Sequence, residues 1–133
     1  MFVDASAIVA ILNREPEADA FADAIERSAA PVTSPIAVFE ATLGLCRIRH
    51  AAVEEAAADV AEFLSVAAIR CLPIASEEAD TALVAAARYG KGRGHPAQLN
   101  LGDCFAYAMA RNRRIPLLFK GDDFTKTDID SAA

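Results

Sequence analysis

LNLGDCFAYAMARNRRIPLLFKGDDF, residues Leu99 to Phe124, is the stretch that decides the fold. Its first half predicts a helix starting at Leu101 or Gly102 and running to Arg114, with Asn100 and Asp103 spaced as an N-terminal capping pair. Ile115 to Phe119 is a short apolar run that reads as a strand, and Lys120-Gly121-Asp122-Asp123-Phe124 reads as the loop leaving it. A helix that immediately precedes a strand of a parallel sheet returns antiparallel to it. The N-terminus of that helix and the C-terminus of the strand therefore lie at the same edge. This brings Asp103 to the edge where Asp122 and Asp123 emerge.

The same alternation runs back to the start. Phe2 and Val3 form a brief strand ending at Asp4, followed by a helix carrying Ile8, Val9, Ile11 and Leu12. Pro16 suits a first helical turn, and Ala18, Phe21, Ala22 and Ile25 have helical spacing. Pro31 to Thr33 reads as a second strand. Ser34 and Pro35 are a cap and first residue for a third helix running toward His50. Val53, Ala56, Ala57, Val60, Phe63 and Leu64 mark a fourth helix, Ile69 to Ile74 a further strand, and Ser76 the cap of a fifth helix that finishes near Tyr89 and Gly90. YGKGRGHPAQLN is a glycine-rich loop. Strand and helix in repeated succession imply an α/β domain with a mostly parallel sheet covered by helices. At 133 residues, with no internal repeat or linker, residues 1–133 read as one domain.

The composition, 54% hydrophobic and 24% charged, is that of an ordinary globular chain. Alanine dominates the apolar part, which points to helices packed closely through small residues. Cys46, Cys71 and Cys104 are widely spaced and odd in number, so neither a disulfide framework nor a zinc ribbon is supported. MFVDASAIVAIL lacks a basic leader and is too short to span a membrane, so the expectation is a soluble, cytoplasmic protein. The net charge is −6, yet Arg88 to Lys120 holds seven basic residues and one acid. That local excess can hold a phosphate backbone, or it can be a solvated helix end and loop.

Five carboxylates sit where apolar segments end or inside an apolar stripe: Asp4, Glu40, Asp103, Asp122 and Asp123. In open parallel sheets functional groups gather at the carboxyl ends of the strands, and topology brings Asp4, Asp103 and the Asp122–Asp123 pair to that edge. Each has a simpler reading as well. Asp4 or Ser6 can cap the first helix, Asp103 can pair with Asn100, and Asp122 and Asp123 can be turn residues. Glu40 shares a helical face with Ile36 and Leu43, so it needs either a cation or a partner such as Arg47. Oxygen ligands of this kind suit Mg²⁺ or Mn²⁺. One such ion can acidify a water for attack at phosphorus, and a second can stabilise the leaving oxygen. His50 and His95 lie after a helix and in the glycine loop, with no triad-like setting. Cys104, in a helix first turn, is either a thiol of lowered pKa or a core residue.

VDASAIVAIL, Glu40 within AVFEATL, YGKGRGHPAQLNLGDCFAYAMA and PLLFKGDDFTKTDI together resemble a VapC-type PIN-domain toxin over nearly the whole chain. The resemblance implies a parallel sheet of about five strands with flanking helices, and Mg²⁺-dependent endoribonuclease activity with Mn²⁺ as a possible substitute. It also implies a VapB-like antitoxin that covers the active groove, within a homodimer or a toxin–antitoxin hetero-oligomer. Residue by residue, Asp4, Glu40 and Asp103 match the first three family acids, and Ser6 matches the small hydroxyl residue near the first. Many relatives carry Thr-x-Asp after the last strand, where this chain has Phe119-Lys120-Gly121. Asp123, or alternatively Asp122, then serves as the fourth acid. Charge and position make Lys120 and Arg93 candidate phosphate contacts. Two other classes compete. One is a PIN-like module that binds RNA or a partner without turnover. The other is a receiver-type signalling domain, whose central phosphoacceptor Asp has no counterpart after Ile69 to Ile74.

Overall fold

Proline sets the length of the strands. The computed structural model describes all residues, Met1–Ala133, and has four two-residue strands: β1 (Phe2–Val3), β2 (Val32–Thr33), β3 (Arg70–Cys71) and β4 (Leu117–Leu118). The longer runs expected at Ile69 to Ile74 and Ile115 to Phe119 are trimmed by Pro73 and Pro116, which have no N–H to give a ladder. All pairings are parallel, in the order β3-β2-β1-β4, with Phe2 opposite both Val32 and Leu117. The sheet has four strands rather than about five. What lies beyond β4 is a single bridge, Leu117 to Ser131. There Leu117 donates to the Asp130 carbonyl and accepts from Ala132, both at 2.9 Å, too little pairing to make a strand.

Six helices cover the sheet: α1 (Ala5–Leu12), α2 (Ala18–Arg27), α3 (Pro35–Arg49), α4 (Val53–Val66), α5 (Ser76–Tyr89) and α6 (Leu101–Arg113). Their starts follow local chemistry. Ser34 Oγ accepts from the Ala37 amide at 3.2 Å with Pro35 as the first helical residue. Two expectations shift slightly. Ala75, not Ser76, occupies the cap position of α5, with no side-chain bond, and Ser76 is the first residue of the helix. Pro16 lies in the turn before α2, which begins at Ala18.

β1 and β4 are completely buried, as strands of a parallel sheet covered on both faces must be. β3 is the edge, and its Arg70 and Cys71 are exposed, a charged edge that resists pairing with another chain. Ala106, Ala108, Met109 and Ala110 bury α6 against the sheet. Arg113 reaches from α6 to Glu78 on α5 at 2.9 Å. No helix is long and apolar enough to cross a membrane. All three cysteines are free, and burial pushes the Cys104 thiol up, with Asp103 adding to it, so it packs in the core rather than forming a reactive thiolate.

Candidate active site

Asp4 stands where β1 ends and α1 begins. Its amide donates to the Leu118 carbonyl at 3.0 Å, which fixes it to the end of β4 as well. Its carboxylate caps α1: Oδ2 accepts from the Ser6 amide at 3.0 Å and from Ser6 Oγ at 2.5 Å. Ser6 Oγ in turn accepts from the Lys120 amide at 3.0 Å. One hydroxyl thus links the first acid to the loop that carries the last one. Asp4 is 5% exposed.

Asp103 occupies the first turn of α6 in a reciprocal cap. Asn100 Oδ1 accepts from the Asp103 amide at 2.8 Å, and the Asn100 amide donates to Asp103 Oδ2 at 3.1 Å. Such a cap contributes on the order of 0.5–2 kcal/mol. The cap engages only Oδ2, so the structural and chemical readings of Asp103 are compatible. Glu40 projects from α3 directly over Gly102. A Cβ built on Gly102 would lie 2.0 Å from Glu40 Oε1, so only glycine admits the carboxylate there. A groove of about 600 Å³ opens beside Glu40, bounded by Phe39 and Ile36 on α3 and by Asn100 and Leu101 at the start of α6.

The electrostatics join these groups. Burial raises the Asp4 carboxyl above its ordinary range despite the Ser6 bonds, and Asp123 adds to the rise. Burial raises Glu40, with a further contribution from Asp4. Asp103 is pushed up to about 7, first by burial and then by the charges of Asp4, Asp123 and Glu40. Four acids from separate segments therefore feel one another at one edge of the sheet, and no basic side chain relieves Asp4, Glu40 or Asp103. Arg47, the alternative partner for Glu40, forms no ion pair with it. Asp122 is not among the charges acting on the cluster. Its carbonyl accepts from the Thr125 amide and hydroxyl at 3.1 and 2.6 Å in a local turn.

An all-oxygen set of acids without a basic partner fits a hard divalent cation. No three of the acids close into a ready-made cage. Mg²⁺ keeps several waters and takes few carboxylates directly, so looser spacing suits it.

Residues 1–130 match the family model of the PIN domain. Among proteins of similar sequence, a VapC ribonuclease of Rhizobium meliloti is 41% identical, covering 96% of this chain and 98% of the relative. Ribonuclease VapC28 of Mycobacterium tuberculosis is 39% identical over 99% of this chain and 97% of its own. The chain belongs to the VapC family of PIN-domain ribonucleases. The fold of this VapC-family chain agrees with solved structures. Mycobacterium tuberculosis VapC20, described as a toxin that cleaves the sarcin-ricin loop, superposes with a TM-score of 0.75 at 17% identity over 96% of this chain and 95% of its own. A toxin–antitoxin complex from Klebsiella pneumoniae gives 0.70 at 18% identity over 96% and 92%. Membership in the VapC family removes the receiver-domain alternative.

Two sequence expectations need correction. The Lys120 ammonium is tied to Glu15 and to Glu17, so it is not a free phosphate contact, and the residue acts here through its backbone amide. The basic run also disperses. Arg111 pairs with Asp128 and Arg113 with Glu78, and both lie at the C-terminal end of α6, away from the acids. Lys91 and Arg93 remain beside the start of α6, lining a second groove with Leu99, Asn100 and Leu101. Gly102 was not foreseen as part of the site. Its signal was a glycine in the first turn of a helix, where propensity alone disfavours it.

Proposed function

We propose that this VapC-family chain acts as one domain, residues 1–133, hydrolysing RNA phosphodiester bonds as a Mg²⁺- or Mn²⁺-dependent endoribonuclease toxin. Asp4, Glu40, Asp103 and Asp123 would hold the ion, with Asp122 the alternative for the fourth place. The observation that carries the reading is the mutual repulsion of buried acids at one sheet edge with no basic side chain to offset it. A bound divalent ion supplies Lewis acidity, lowering the pKa of water and offsetting charge that develops on the phosphate. Ser6 orients Asp4 and couples it to the loop after β4. Arg93, on the glycine-rich loop, is suited to the RNA backbone, whereas Lys120 is held by Glu15 and Glu17.

A VapB-like antitoxin is the proposed partner, in a cytoplasmic toxin–antitoxin assembly or on a toxin homodimer. Phe39 and Leu101 are 66% and 69% exposed on either side of the groove beside Glu40, large apolar surfaces that a covering segment would bury. Incubating the purified protein with transfer RNA and Mn²⁺, with and without EDTA, tests the activity. Cleavage should disappear on chelation and in Asp4→Asn and Asp103→Asn variants that remain folded. Undiminished cleavage in both variants refutes the mechanism. Mn²⁺ and RNA binding without cleavage in the native protein would identify a binding module instead.

A further inference from the structure

Asp123 lies in a segment with few ties of its own. Gly121, at φ +100° and with open space around it, gives the chain a turn as it leaves β4. The backbone bonds that follow are local, from Thr125 to Asp122 and from Thr127 to Phe124, each 3.1 Å. Two anchors hold this segment to the body. One is the Phe124 ring, buried and 5.1 Å from Phe119. The other is Asp128, whose Oδ1 accepts from the Tyr107 hydroxyl at 2.6 Å and whose Oδ2 accepts from Arg111 at 3.0 Å. Just beyond it, residues 130–132 bond to Leu117.

Tyr107 and Arg111 are four and eight residues after Asp103, on the same face of α6. That helix is buried along most of its length. One rigid element therefore presents Asp103 at its N-terminal turn and, one and two turns later, the two donors that grip the segment bearing Asp123.

We propose that Asp128 is a positioning residue, which ties the segment after β4 to the α6 face carrying Asp103 and so sets the place of Asp123 against Asp103 and Asp4. The inference rests on the reading of Asp123 as an ion-holding acid. Supporting partners of this kind alter metal affinity 10–100-fold when removed. Tyr107 is 4% exposed, and burial and Asp128 push its hydroxyl up to about 12, so it stays a donor across the working range of pH.

The test uses Asp128→Ala, Tyr107→Phe, which keeps the ring, and the conservative Asp128→Glu. Asp59→Ala, which breaks the surface pair with Arg49, is the control. Mn²⁺ binding is measured by calorimetry, and amide hydrogen exchange of residues 121–127 is measured without metal. Mn²⁺ affinity should fall at least tenfold in Asp128→Ala and by a smaller factor in Tyr107→Phe. It should be partly rescued in Asp128→Glu and unchanged in Asp59→Ala, with faster exchange confined to 121–127. RNA cleavage by Asp128→Ala should recover at saturating Mn²⁺. Unchanged Mn²⁺ affinity in Asp128→Ala and Tyr107→Phe, with only thermal stability lowered, overturns the inference while leaving the nuclease reading intact. Weakened Mn²⁺ binding in these variants of a protein that never cleaves RNA supports the inference and refutes the nuclease reading. Absence of Mn²⁺ binding in the unaltered protein overturns both.

Discussion

Replacing Gly102 by alanine should separate catalysis from folding. The added methyl would sit 2.0 Å from Glu40 Oε1, 2.2 Å from Oε2 and 2.3 Å from Cδ, while real Cβ contacts essentially never fall below 3.0 Å. The carboxylate must retreat by about 1 Å or more, and it is the mobile end of a long side chain, so it yields before the backbone does. Alanine is favoured over glycine within a helix by about 0.8–1.0 kcal/mol, and somewhat less in a first turn. Global stability should therefore stay the same or rise by up to about 1 kcal/mol. A catalytic group displaced by ~1 Å costs on the order of 10²-fold in rate. The assay pairs urea denaturation with Mn²⁺-dependent cleavage of a defined RNA. Cleavage within twofold of the unaltered protein would show that the position of Glu40 does not matter. Loss of activity together with a stability loss above about 2 kcal/mol would mean that α6 itself has moved.

Three further outcomes are expected. In EDTA, thermal stability should fall as pH rises from about 4 to about 7, because Asp103 holds a proton in the folded chain that the unfolded chain has released. Asp4 and Glu40 act in the same direction, whereas Glu15 and Asp128, held low by their partners, oppose it only below their ordinary range. Excess Mn²⁺ should flatten the decline, and stability rising over that window in EDTA would contradict the assignment. Asp123→Asn should abolish most cleavage while Asp122→Asn leaves it nearly intact; equal loss in both would make the pair interchangeable. Arg93→Ala should weaken RNA binding and lower its salt slope by about 1, whereas Lys120→Ala should leave the slope unaltered. Titrations at several salt concentrations distinguish the two.

Much of this was readable from order alone. Asp4, Asp103 and the acids after β4 could be assigned to one edge because a helix preceding a parallel strand must start where that strand ends. The asparagine cap of α6 was visible in the Asn100–Asp103 spacing, and the buried stripe around Glu40 in its neighbours at helical intervals. Contacts between distant segments were less legible. Nothing local tells Lys120 that Glu15 and Glu17 will stand beside it, because that meeting depends on where the turn after α1 comes to rest. The seven basic residues looked like a patch because sequence proximity is preserved within a helix, yet α6 carries Arg111 and Arg113 to the far end of the domain. The expected fifth strand rested on family likeness, and the short tail at Ser131 makes only part of it.

The centre of the sheet has a consequence for how the chain is made. β1 is the first segment synthesised, but its Phe2 and Val3 pair with Leu117 and Leu118, and Ser6 waits for the Lys120 amide. A nascent chain emerging N-terminus first has no β4 to accept. The acids at the two ends of the molecule meet only after nearly all of it has left the ribosome. A ribonuclease built this way stays harmless to the machinery translating it until release.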